Sequence, residues 1–107
     1  MINVFKSLAN ARRRRKQLRQ ALAQNNAIFK AALDKVDREY RQASDEIMNN
    51  YVGELMSAGG LGCVEEEVIT AEAEHRANQA KELADQKIKE LREANERRIK
   101  QILACYR

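Results

Sequence analysis

The chain has 107 residues, 34% of them charged and 5% aromatic, with 20 Lys and Arg against 16 Asp and Glu. That length suits one domain, and 23 Leu, Ile, Val and Phe residues are too few to fill a large enclosed enzyme core. With no proline and abundant Ala, Gln, Glu, Lys, Arg and Leu, the sequence predicts long uninterrupted helices.

The chain opens on an apolar stretch, Ile2, Val4, Phe5, Leu8 and Ala11. A cationic run follows, Arg12, Arg13, Arg14, Arg15 and Lys16, with Arg19 a turn later. Apolar start before basic cluster is the reverse of a secretory signal. The first acidic residue is Asp34, so the opening segment is purely cationic, a bias shared by organelle transit peptides and by plain basic helix ends. Five consecutive cations cover more than one helical turn, so no single face shelters them, and like-charged neighbours disfavour the helix. An anionic surface would relieve that repulsion: a polyanion, an acidic protein groove or an anionic lipid surface. Apolar residues beside arginines also suit a membrane interface or a neighbouring subunit. No aromatic side chain interleaves these bases, so contact with DNA would run to its phosphate backbone, without stacking and without sequence preference.

A first helical arm is expected over about 4–57. Its apolar and aromatic positions are Leu18, Leu22, Phe29, Leu33, Val36, Tyr40, Ile47, Tyr51 and Leu55. Steps of eleven link Leu18, Phe29, Tyr40 and Tyr51, and a parallel series holds Leu22, Leu33, Ser44 and Leu55. Eleven residues in three turns is about 3.67 per turn, which favours nearly straight or gently right-handed packing over a heptad supercoil.

The one cluster of helix breakers lies at 58–63, where Gly59, Gly60 and Gly62 can take positive φ and reverse the chain. Its flanks, Leu55 to Val64, are apolar and small, unusual for a tip in water. Burial against another chain, contact with lipid and a corner packed on itself are all compatible with that composition.

The second arm, about 64–105, starts at Glu65, Glu66 and Glu67, carboxylates suited to a helix N-terminus. The eleven-residue step returns in Ile69, Ala80, Leu91 and Ile102, and in Ala77, Ile88 and Ile99. Folding the chain at Gly60 sets Tyr40 near Ala80, Ile47 near Ala73, Leu33 near Ile88 and Leu22 near Ile99. Large residues opposite alanines let two helices approach closely. The expected fold is therefore all-α, a single extended antiparallel two-helix hairpin over 1–107. Its stripes are too broad for one partner arm, so it is expected to oligomerise.

Charge is segregated along the chain. Residues 1–20 carry seven bases and no acid, residues 58–74 five acids and no base. Bending at the glycines brings two basic ends together and leaves an acidic shoulder beside the turn. Cys63 and Cys105 would lie ~60 Å apart along a continuous helix, too far to bond within one chain; they are expected as free thiols. His75 is the lone histidine, no Cys or His pair has metal-ligand spacing, and no phosphate-binding glycine loop occurs. No metal, cofactor or catalytic residue is expected, and no uncharged run reaches the ~18 residues of a membrane span.

The order of these features resembles one family, the internal virion (ejection) proteins of short-tailed bacteriophages. The likeness runs from Leu8-Ala9-Asn10-Ala11-Arg12-Arg13 through a Gln-, Asn- and Ala-rich helix and the turn Ser57 to Gly62. It ends with the Glu-Ala and Arg-rich helix Ala71 to Arg98. Members are usually longer, with Gly/Ala-rich apolar segments that this chain lacks. The resemblance implies a ring of hairpins inside a virion, at a portal or core, that leaves with the genome. The residues alone suggest a non-enzymatic assembly protein with homo-oligomeric contacts and neighbours in the same structure; the resemblance implies a place in the virion, and without it the cytoplasm is expected. A basic nucleic-acid-binding or packaging accessory, and a helical adaptor or chaperone, are the other readings.

Overall fold

A computed structural model describes residues 2–106. The chain is all-helical among these residues: α1 spans Ile2–Ser57 and α2 spans Glu66–Cys105. The first arm thus begins two residues earlier than its apolar pattern predicts, and the second starts at Glu66 rather than 64. Residue 64 belongs to the connection, and Glu65 is the N-cap of α2, its carbonyl accepting the first helical bond from the Ile69 N–H at 2.9 Å.

That connection is set by glycine geometry. The N–H of Gly60 donates to the carbonyl of Leu55 (2.8 Å) and that of Gly59 to Met56 (3.3 Å), the paired bonds of a Schellman cap. Gly59, at φ 114°, occupies the position where a side chain would be strained. A second turn follows, closed by Cys63 N–H on the Gly60 carbonyl (3.3 Å), with Gly62 at φ 84°. Entry into α2 is held by the Glu66 carboxylate, which accepts from the Gly62 N–H at 2.9 Å. With Glu67 it also places negative charge in the first turn of α2, where the helix dipole favours it.

The chain divides into two compact units, each pairing a length of α1 with a length of α2. In the unit Asp34–Lys89, which contains the turn, Val36 and Leu55 of α1 and Ile69 of α2 are the buried apolar side chains, 7–9% exposed. Burying each contributes about 1.5–3 kcal/mol. Tyr51 and Thr70 share a hydroxyl hydrogen bond across the pair (3.2 Å). Ile47 and Ala73 line one groove together, and Tyr40 and Ala80 another, the alignment expected from folding at Gly60. Large side chains of α1 thus sit opposite alanines of α2.

The unit Met1–Leu33 with Glu90–Arg107 is centred on an amide pair. Asn25, 6% exposed, donates through Nδ2 to Oδ1 of Asn95 at 2.7 Å. Around it Leu18, Leu22, Phe29 and Leu33, with Leu91, Ile99 and Ile102, are half-buried. No residue among those described is more than 98% buried by its neighbours, so the packing in both units is a seam rather than an enclosed core.

Candidate functional site

Most side chains that face inward repeat every eleven residues, in more series than the two per helix that the apolar pattern marks. One such series is Asn25, Val36 and Ile47 on α1, continued by Ala58 just past its end; another is Ala73, Ala84 and Asn95 on α2, continued by Tyr106 just past its end, all buried or half-buried. Apolar periodicity signals only Val36 and Ile47 among them, because the other members are amides, alanines, a glycine-flanking residue and a chain-end tyrosine. Stepping back eleven residues from Val36 would have found Asn25. The Asn25–Asn95 bond matters because a buried amide without a partner is expensive, about 1–3 kcal/mol. An apolar seam tolerates many alignments, whereas this pair is satisfied in one.

The expected packing residues take up graded positions. Ile69 and Val36 are buried, whereas Leu18, Leu22, Phe29, Leu33, Ile47, Tyr51, Ala80, Ile88, Leu91, Ile99 and Ile102 are half-buried. Tyr40 stands at the rim with 36% of its surface exposed. Ala77 is exposed, though it lines the groove that holds Tyr51 and Ile47. Polar contacts bracket the seam in the turn-containing unit: Arg76 to Glu54 at 3.7 Å and Lys87 to Glu39 at 3.2 Å. Both pairs are solvent-exposed, so each contributes at most about 1 kcal/mol and acts mainly on alignment.

The cationic run is helical and open. Arg12, Arg13, Arg14, Arg15, Lys16 and Arg19 are all exposed, and none pairs with a carboxylate among the described residues. Every residue from 3 to 17 is exposed, and Leu18 is the first to be half-buried. The reason lies in the alignment. With Asn25 opposite Asn95, α2 reaches its end at Cys105 while α1 continues beyond the level of Arg15. About 20 Å of helix, at ~1.5 Å per residue, then has no α2 residue across from it. Val4, Phe5 and Leu8 lie on this projecting length, 54–69% exposed.

At the turn, the small apolar side chains stand in solvent. Leu61 and Val64 are 83% and 96% exposed, and Met56 and Val68 are largely so; within this chain nothing covers them. Beside the turn a shallow groove of about 740 Å³ runs between the helices, floored by Gly53, Ala58, Val68 and Ile69 and edged by Glu54, Glu65 and Glu72. A second groove of about 370 Å³, on residues that include Met48, Tyr51, Ala73 and Ala77, is mostly apolar.

Cys63 is half-buried, Cys105 is exposed, and both are free thiols. Among the described residues no three His, Cys, Asp or Glu side chains converge as a metal site. No described helix is long and apolar enough to cross a membrane. The chain matches no protein family, no curated protein and no solved structure. The arrangement itself offers surfaces: an incompletely covered seam, a bare basic helix end and an apolar turn edged with carboxylates.

Proposed function

We propose that this chain is a non-enzymatic assembly protein, a helical hairpin whose seam is completed by further copies or by neighbours in the same structure. The observation that carries this reading is the contrast in burial. Among the described residues three apolar side chains are buried, while Val4, Phe5, Leu8, Ile28, Met48, Met56, Leu61, Val64 and Leu83, among others, stand mostly in water. Monomeric proteins rarely leave so much large apolar surface open, and amphipathic helices draw most of their stability from covering it. A virion core or portal-associated ring, the setting implied by the phage ejection-protein resemblance, is one assembly such hairpins fit; a cytoplasmic scaffold is another.

Sedimentation velocity tests the reading. A discrete oligomer is expected at micromolar concentration, surviving replacement of Arg12, Arg13, Arg14 and Arg15 by alanine if the seam drives assembly. A monomer at every concentration would sink it.

A second reading, a packaging or nucleic-acid accessory protein, is favoured by the bare cations Arg12 to Lys16 and Arg19. It predicts retention on double-stranded DNA of any sequence, with affinity falling steeply as salt rises. The same alanine replacements would abolish that retention.

A further inference from the structure

We infer that the projecting N-terminal end of α1 docks into the groove beside the turn of a second copy of this chain. The inference rests on the assembly reading above and adds to the shared seam a second contact between copies. The projecting segment has two chemistries in sequence. Val4 and Leu8 are four residues apart on one helical face, and Arg12, Arg15 and Arg19 continue that face. An apolar tip thus leads into a basic stretch, all of it exposed and none of it paired among the described residues.

The groove beside the turn presents the complement. Its floor is small or apolar, with Gly53 lowering the wall so that a helix can approach closely: a Cβ at that position would meet nothing within 4 Å. Its edges carry Glu65 and Glu72, both exposed, together with Glu54. Leu61, Val64 and Val68, exposed alongside, extend the apolar surface toward the turn.

Charge and apolarity match on both sides, and each half explains what the alternatives leave over. A phosphate backbone would use the arginines but leave Val4, Phe5 and Leu8 in water. A flat lipid surface would take the apolar tip, yet cations at five consecutive positions point around the whole helix and cannot all face one plane. The shallow groove takes both halves: its floor receives the apolar tip, and the exposed carboxylates of Glu65 and Glu72 beside it receive arginines, while Glu54 is already paired with Arg76. Because the two surfaces are different patches of the same molecule, the contact is heterologous, and repeated use gives a ring or an open chain of copies.

The experiment is a charge exchange. One variant carries Arg12→Glu, Arg13→Glu, Arg14→Glu and Arg15→Glu; the other carries Glu65→Lys and Glu72→Lys, with Glu66 left intact because it holds the start of α2. Circular dichroism first confirms that both keep wild-type helicity, as expected for side chains that bear on no packing.

In sedimentation at low ionic strength, wild type builds assemblies larger than the seam oligomer, and each variant alone builds them on the order of 100-fold more weakly, because like charges then oppose each other. Mixing the two variants restores association, since each reversed surface meets its new complement. Association of wild type also weakens at about 1 M salt, where the Debye length falls to about 3 Å. Replacing Val4, Phe5 and Leu8 by serine weakens it independently of salt.

An oligomer of fixed size that ignores both charge reversals overturns this docking and leaves the assembly reading standing, whereas a monomer throughout removes both. Retention of wild type on anionic vesicles or on DNA without self-association also overturns it and assigns the basic end to that surface.

Discussion

The side chain that most constrains this molecule is an amide. Asn25 is 6% exposed in a seam lined mainly by apolar side chains, and it donates across the helix pair to Asn95 at 2.7 Å. Replacing Asn25 alone by leucine strands the Asn95 amide in a half-buried site, so stability should fall by about 1–3 kcal/mol, measurable as a lower urea midpoint. Replacing both by leucine should recover that loss or exceed it, as happens when a buried polar pair gives way to apolar packing. The cost of the double change falls on specificity, and broadened amide resonances in NMR spectra would report it. Tyr51 was legible as a seam residue from its place in an eleven-residue series, but its bond to Thr70 was not. A hydroxyl gives no periodic signal, and which residue lies opposite depends on the length of the turn.

At the scale of the element, the two helices were readable because nothing in the sequence interrupts them: no proline, and glycines gathered at one place apart from Gly53. The turn was readable for the same reason, while its end at Glu66 instead of residue 64 was set by a side chain capping backward onto Gly62. Gly53 and Gly62 illustrate the two uses of this residue. Gly53 lies within α1 with open space where a Cβ would be, so Gly53→Ala should raise thermal stability by about 0.5–1 kcal/mol through helix propensity. Gly62 sits at φ 84°, and Gly62→Ala should lower it by about 1–2 kcal/mol, the cost of a left-handed conformation for a residue with a side chain. Opposite signs from the same substitution, read in one set of thermal melts, would check both. The length of α1 beyond its partner was not foreseen from composition, although the glycines already divide the chain into unequal arms.

At the scale of the whole molecule, the balance of burial sets the expectations. A chain whose buried apolar side chains among the described residues are Val36, Leu55 and Ile69 holds little stability in isolation. If copies complete one another's seams, only the folded state binds them, and mass action makes the melting temperature rise with protein concentration. A melting temperature unchanged over a hundredfold dilution would argue for a self-sufficient monomer. Deleting residues 3–11, all of them exposed, should leave the midpoint in dilute solution within about 2–4 °C of wild type. The segregation of charge, basic at the start of the chain and acidic after the turn, was fully legible, since it needs only the order of residues. What the charges meet depends on surfaces that arise once the helices pair.

The bond between the two asparagines carries an evolutionary signature as well. A chain that mutates one amide first passes through a weakened intermediate, whereas a chain that changes both crosses to an equally stable seam. Positions 25 and 95 should therefore be inherited as a unit, so that in divergent descendants of this sequence the two sites either stay amides or become apolar together.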